Sequence, residues 1–220
     1  MPTFEVNGTT FQGYLSIPSV GNGIGVLILH AWWGLNRFTI QTCDRLAQAG
    51  FATLAPDYYG GQVVETIEEA KAVREKLDRK STQKLVNHAV DFLSGLPSVT
   101  GSFIAAIGFS LGASFAIEVA RSRNEIIKAV VLFYGTGGGK IEKINATFLG
   151  HFAEHDQWGA HPTKVKALEA RIRLAGKSAR FYTYPETLHW FAEADRPEYK
   201  QEAAEIAWER TIEFLRDELG

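Results

Sequence analysis

Residues 103–112 read Phe-Ile-Ala-Ala-Ile-Gly-Phe-Ser-Leu-Gly, a short apolar run that delivers Gly108-Phe109-Ser110-Leu111-Gly112. A G-x-S-x-G stretch behind a buried strand has a mechanical explanation. The chain must turn sharply from strand into helix, which strains the serine backbone and presents its hydroxyl outward. Side chains at the two glycines would collide with the elements that close around the turn. Ala113 to Arg121 (Ala-Ser-Phe-Ala-Ile-Glu-Val-Ala-Arg) continues as helix-forming sequence free of proline and glycine. Ser110 is therefore predicted to be a nucleophile. The plainer alternative is a serine that only caps the helix behind it.

Outward from this stretch, strands and helices alternate. Thr3–Ile17 reads as a β-hairpin turning at Asn7-Gly8, a strong two-residue hairpin signal. Gly25–Leu29 is a continuous apolar run, as expected of a strand covered on both faces. A helix over 37–49 ends at Gly50, and Phe51–Ala55 is the next buried strand. Helices follow over about 65–78 and 81–94, stopped by Gly95 and Pro97. Beyond the Ser110 helix come strands near 127–134, 146–152 and 180–184, with helices near 162–175 and 199–218. This pattern predicts an α/β fold: one domain over residues 1–220, with a mainly parallel central sheet flanked by helices on both faces. In such a sheet ligands bind at the carboxyl ends of the strands, so functional residues are expected just after strands.

Two further residues obey that rule. Asp156 follows the strand Thr147-Phe148-Leu149-Gly150-His151-Phe152, and His189 follows Arg180-Phe181-Tyr182-Thr183-Tyr184. A serine hydroxyl is a weak nucleophile until a base takes its proton, and that base is oriented by a carboxylate. The chain order Ser110, Asp156, His189 is the Ser…Asp…His order of the α/β-hydrolase fold. A loop-capping aspartate and a structural histidine are the plainer alternatives for the last two.

Over nearly its whole length the chain resembles the dienelactone hydrolase family, a branch of the α/β hydrolases. The resemblance rests on Val26-Leu27-Ile28-Leu29-His30-Ala31-Trp32-Trp33-Gly34-Leu35-Asn36, on Ala55-Pro56-Asp57-Tyr58-Tyr59, on the Ser110 turn, and on the positions of Asp156 and His189. It implies an oxyanion hole made by the backbone N–H groups of Leu111 and Trp32. The chain departs from the family's named enzyme in three places. That enzyme has a cysteine where Ser110 stands and a glutamate where Ala31 stands. It also has an arginine a few residues after the histidine, where this chain reads Phe191-Ala192-Glu193. The lost arginine predicts that a carboxylate-bearing substrate is disfavoured, unless Arg37 or Arg196 stands in for it. The expected activity is cleavage of small carboxylic esters or lactones through an acyl-enzyme. A peptidase or acyltransferase on the same triad, or a non-catalytic binding protein of this fold, are the alternatives.

Aromatic residues gather after the strands: Trp32, Trp33, Phe38, Tyr58, Tyr59, Trp158, Trp190 and Phe191. Of these, Trp33, Tyr58, Trp158 and Trp190, together with Glu193, are the predicted substrate contacts. Asp57 is expected to fix the turn after its strand, and His30 to shape the oxyanion loop. No inserted stretch is long enough for a separate lid, so the pocket is expected to be open. His151-Phe152-Ala153-Glu154-His155 matches H-x-x-E-H, but that zinc pattern needs a helix. On a strand the two histidines stand ~13 Å apart. Gly135-Thr136-Gly137-Gly138-Gly139-Lys140 lacks the first glycine and the Ser/Thr of a phosphate loop. Neither a metal nor another cofactor is expected. The mixed charges of Glu65–Lys84 read as solvated helix faces.

Composition agrees with a small-molecule enzyme. The net charge of −2 and the absence of a basic block argue against nucleic acid as a partner. Met1–Glu5 has neither the basic nor the apolar region of a secretory leader, and no apolar run approaches the ~20 residues of a membrane span. Cys43 is alone, so no intramolecular disulfide forms and the cytoplasm is the expected compartment. A monomer or small homo-oligomer is expected.

Overall fold

A computed structural model describes residues 2–220. Its eight strands are β1 (Thr3–Val6), β2 (Thr9–Ser16), β3 (Gly23–Leu29), β4 (Phe51–Pro56), β5 (Val99–Phe109), β6 (Ile127–Phe133), β7 (Thr147–His155) and β8 (Ala179–Leu188). The helices are α1 (Arg37–Gln48), α2 (Ile67–Glu75), α3 (Arg79–Ser94), α4 (Leu111–Ser122), α5 (Pro162–Leu174) and α6 (Gln201–Leu219). The strands form one sheet in the order β1-β2-β4-β3-β5-β6-β7-β8. From β4 to β8 every neighbouring pair is parallel, whereas β1 and β2 run antiparallel at one edge. The expected mainly parallel α/β architecture is what the chain adopts.

Period-2 alternation divides the core between the two faces. On β3, Leu27 and Leu29 join α3, α4 and α5 on one side, while Val26 and Ile28 meet α1 and α6 on the other. On β6, Val130 and Leu132 face the first layer, and Ala129, Val131 and Phe133 the second. Both faces are covered, which is why these strands read as unbroken apolar runs.

Local chemistry sets the boundaries. Asn7 and Gly8 both take positive φ (51° and 73°), as the tight turn between β1 and β2 requires. The Asn36 side chain accepts from the Thr39 amide at 3.1 Å to start α1. Thr66 and Glu69 form a reciprocal capping box, so the helix expected over 65–78 spans only Ile67–Glu75. Asp78 caps α3 by accepting from the Lys80 amide at 3.0 Å, which starts that helix at Arg79, ahead of the expected position. β8 runs past its expected end at 184, through Pro185 to Leu188. Being an edge strand, it tolerates the missing proline N–H. Its register slips there: Ala153 faces Tyr184 but His155 faces Leu188, so β8 carries two extra residues before His189.

Phe148 on β7 is fully buried in the layer containing α4 and α5. Phe148→Ala should lower unfolding free energy by about 3–5 kcal/mol with an unchanged denaturant slope. An urea midpoint within error of wild type contradicts that placement of the core.

Candidate active site

The β5–α4 turn is built from backbone clearances. Ser110 takes φ 49° and ψ −108°, a conformation side chains rarely adopt. Its amide donates to the Phe133 carbonyl at 2.9 Å, tying the turn to the end of β6. A Cβ on Gly108 would strike the Gly112 and Ala113 backbone, and one on Gly112 would strike the Leu29 and His30 carbonyls. Both glycines are thus required by close backbone approach, as the sequence implied. Ser110 makes no capping bond to α4. Its Oγ lies 2.8 Å from His189 Nε2 instead.

The other two predicted residues complete a continuous relay. His189 Nδ1 is 2.5 Å from Asp156 Oδ2. Asp156 Oδ1 accepts from the amides of Trp158 (2.9 Å), Gly159 (3.0 Å) and Ala160 (3.2 Å). Burial pushes the Asp156 carboxyl up, but the His189 bond, its charge and the Gly159 and Trp158 amides outweigh that and hold it below the usual range. An ionised Asp156 accepts from Nδ1–H, which leaves Nε2 free to accept from the Ser110 hydroxyl. The helix-capping alternative for Ser110 thus finds no bond to carry it, whereas Asp156 does cap its own loop with Oδ1 while Oδ2 meets His189.

The relay opens into a cleft of about 210 Å³ whose wall includes Trp32, Leu111, Tyr134, Gly135, Thr136, Trp158 and Trp190. Trp32 and Leu111 line it together with Ser110, and Leu111 is the first residue of α4, where amides have no intrahelical acceptor. Three tryptophans form one side: Trp32 stacks on Trp190 at 5.8 Å, and Trp158 meets Trp32 at 5.5 Å and Trp190 at 5.4 Å. Trp158 remains 44% exposed, so the cleft opens to solvent beside it.

Three predicted substrate contacts lie elsewhere. Trp33 is buried, with the Arg196 guanidinium over its ring at 3.7 Å. Tyr58 is buried too, stacks on His30 at 3.6 Å and donates to the His30 carbonyl. Glu193 is 1% exposed, accepts from the Tyr134 hydroxyl at 2.9 Å and does not line the cleft. Burial pushes its carboxyl up to about 8, which favours the uncharged form, and its side chain is not part of the cleft wall. Arg196 is spent on Trp33 and on the Glu65 carbonyl (3.1 Å), and Arg37 does not line the cleft. Phe38 packs on Phe109 and lines a separate pocket, not the Ser110 cleft.

Two arginines passed over in the sequence do reach the cleft. Arg74 at the end of α2 and Arg79 at the start of α3 both line it, and Arg79 pairs with Glu118. They lie in the stretch read as solvated charge, and only the folding of α2 and α3 over the strand ends brings them beside Leu111. The remaining expectations concern local structure. Asp57 Oδ1 accepts from the Tyr59 amide at 2.8 Å and so fixes its turn. His30 is fully buried, with Nδ1 2.6 Å from the Ala31 carbonyl, and burial lowers its pKa to about 4. The H-x-x-E-H stretch lies within β7. Both ring nitrogens of His151 are engaged there, by the Tyr184 hydroxyl (2.8 Å) and the Thr211 hydroxyl (3.0 Å).

A family model described as the dienelactone hydrolase family matches residues 11–219. The protein usf of Aquifex pyrophilus is 28% identical, over 100% of this chain and 98% of its own. A carboxymethylenebutenolidase of a Pseudomonas species is 27% identical, over 95% of this chain and 91% of its own. A solved dienelactone hydrolase-like promiscuous phosphotriesterase from metagenomic libraries shares the fold, with TM-score 0.84 at 23% identity. That match covers 99% of this chain and 97% of the other.

Because Gly112 packs directly on the Leu29 and His30 carbonyls, Gly112→Ala should force α4 away from β3. The expected loss is about 1–3 kcal/mol of stability, with a larger proportional fall in hydrolytic turnover because Leu111 and Trp32 are driven apart. Wild-type stability and turnover in this variant contradict the close approach.

Proposed function

The chain belongs to the dienelactone hydrolase family, and we propose that it is a serine hydrolase opening small carboxylic esters or lactones through an acyl-enzyme. One observation carries this reading: the unbroken hydrogen-bonded line from Ser110 Oγ through His189 to Asp156 at the head of α4. Ser110 Oγ attacks the carbonyl carbon as its proton passes to His189 Nε2. The resulting imidazolium is stabilised by Asp156, which also holds the tautomer. The oxyanion is met by the N–H groups of Leu111 and Trp32, whose fixed dipoles need no reorganisation. Collapse expels the alkoxide, which takes the proton from His189. Water activated by the same histidine then cleaves the acyl-serine. In a lactone the alcohol stays tethered, so the product is one hydroxy acid.

The cleft supports a substrate with an apolar body and an anionic end. The three tryptophans offer flat apolar surface to the body, and Arg74 and Arg79 offer positive charge at the rim. The relatives named carboxymethylenebutenolidases act, by that name, on a butenolide bearing a carboxymethylene group. A carboxylate of that kind would meet arginines here and not Glu193. This reverses the charge preference expected from the missing arginine after His189.

A fluorophosphonate should label Ser110 with one-to-one stoichiometry, and Ser110→Ala should lose several orders of magnitude in kcat. Turnover near wild type in that variant removes the mechanism. Arg74→Ala and Arg79→Ala should each raise KM for a carboxylate-bearing ester by about twofold to fivefold, the range for exposed charge pairs, and leave a neutral ester unaffected. Equal effects on both esters dismiss the anionic end.

A further inference from the structure

Two hydrogen bonds hold the nitrogens of His189, yet they leave the ring free to swing about the line joining its partners. Packing must fix the plane. Two aromatic rings do so: Tyr134 meets the imidazole at 5.1 Å and 60°, and Trp190 meets it at 4.7 Å and 86°. Trp190 belongs to the histidine's own turn, whereas Tyr134 comes from the end of β6, one residue past the carbonyl that anchors Ser110.

Tyr134 is an unusual support. It is fully buried, takes φ 36°, and its amide donates to the His151 carbonyl at 2.8 Å. Its hydroxyl has one partner, Glu193 Oε1 at 2.9 Å. Glu193 in turn closes the turn that carries His189, its amide donating to the Trp190 carbonyl at 2.9 Å. Its second oxygen, Oε2, is buried without a partner. A fully buried carboxyl with one oxygen unpartnered costs stability. Its one evident polar service is to hold the tyrosine.

Resting on the serine mechanism above, we propose that Glu193 is a positioning residue for His189, acting through Tyr134. The contact joins the strand end beside Ser110 to the turn carrying the base, and so fixes the imidazole plane in line with Ser110 Oγ. The uncharged form of Glu193 suits this role, because Oε1 accepts from Tyr134 while no charge is buried. Asp195, Arg196 and Glu198 on its own loop face it, as does Tyr134 from β6, and Arg37 of α1 faces Asp195. Burial raises the folded-state pKa to about 8, above the ordinary glutamate range. The fold therefore favours the protonated acid, and that contribution is lost as pH rises through about 8. Ionisation places a buried charge beside Asp195 and Glu198 that Arg196 only partly offsets, which weakens the turn.

The test measures kcat and KM for one ester from pH 6 to 10, in wild type, Tyr134→Phe, Glu193→Ala and Glu193→Gln. Tyr134→Phe and Glu193→Ala should lose about tenfold to a hundredfold in kcat with little change in KM, as expected for a misaligned base. Glu193→Gln keeps an acceptor for Tyr134 and cannot ionise. It should hold wild-type kcat at pH 7 and retain it above pH 8, where wild type declines. Unchanged kcat in Tyr134→Phe overturns the proposal, as does a Glu193→Gln variant as impaired as Glu193→Ala. If Glu193→Ala does not fold, Tyr134→Phe and Glu193→Gln decide. Fluorophosphonate labelling separates the two readings: stoichiometric labelling of wild-type Ser110 with unchanged kcat in Tyr134→Phe sinks the positioning role alone, and failure to label wild type sinks both.

Discussion

The site hangs on a single strained residue. Ser110 can keep a left-handed backbone only because its surroundings leave it no relaxed alternative: the Phe133 carbonyl holds its amide, and Gly108 and Gly112 let α4 and β3 close to backbone contact. Strain of this kind costs of order 1–3 kcal/mol and persists where packing over-determines it. Tyr134 and Trp190 also take positive φ, and both border the same cleft. These three positions stand at the ends of β5, β6 and β8, where chains leaving the sheet must turn back across its carboxyl edge.

Two buried carboxyl groups near His189 meet opposite fates. Asp156 collects three amides and a histidine, enough to overcome desolvation and hold its charge. Glu193 has one tyrosine hydroxyl, not enough, and desolvation wins. The same side-chain chemistry thus favours an anion against the imidazole at Asp156 and a neutral acid behind Tyr134 at Glu193. Deeper burial, fewer donors and the neighbouring Asp195 and Glu198 all push Glu193 toward the neutral form.

What was legible in the sequence was local. The Ser110 turn, the Asn7-Gly8 hairpin and the alternation of buried strands with capped helices all rest on interactions a few residues apart. Strand ends could be located from the same signals, and with them the positions of Asp156 and His189. The facing of loop residues could not. Trp33, Tyr58 and Glu193 follow strands as faithfully as Trp158 and Trp190 do, but their side chains turn inward against His30, Tyr134 and Arg196. Arg74 and Arg79 are hidden in the sequence for the opposite reason. They look like ordinary helix-surface charge, and only the path of α2 and α3 over the sheet carries them to Ser110. The far end of β8 has no local marker, because an edge strand passes through Pro185 and on to Leu188.

That edge has a consequence for how the molecule meets its own copies. A strand at the rim of a sheet is a template for another strand, and ten residues of β8 would make a long one. Pro185 offers no donor, Glu186 turns to φ 52°, and two extra residues break the ladder just before His189. Near the other end, Arg180 pairs with Asp217 and Glu218 of α6 and keeps charge along the rim. The irregularity that aims the histidine inward also spoils the outer face of the strand for pairing. Precision at the cleft and resistance to edge-to-edge aggregation are met by the same few residues.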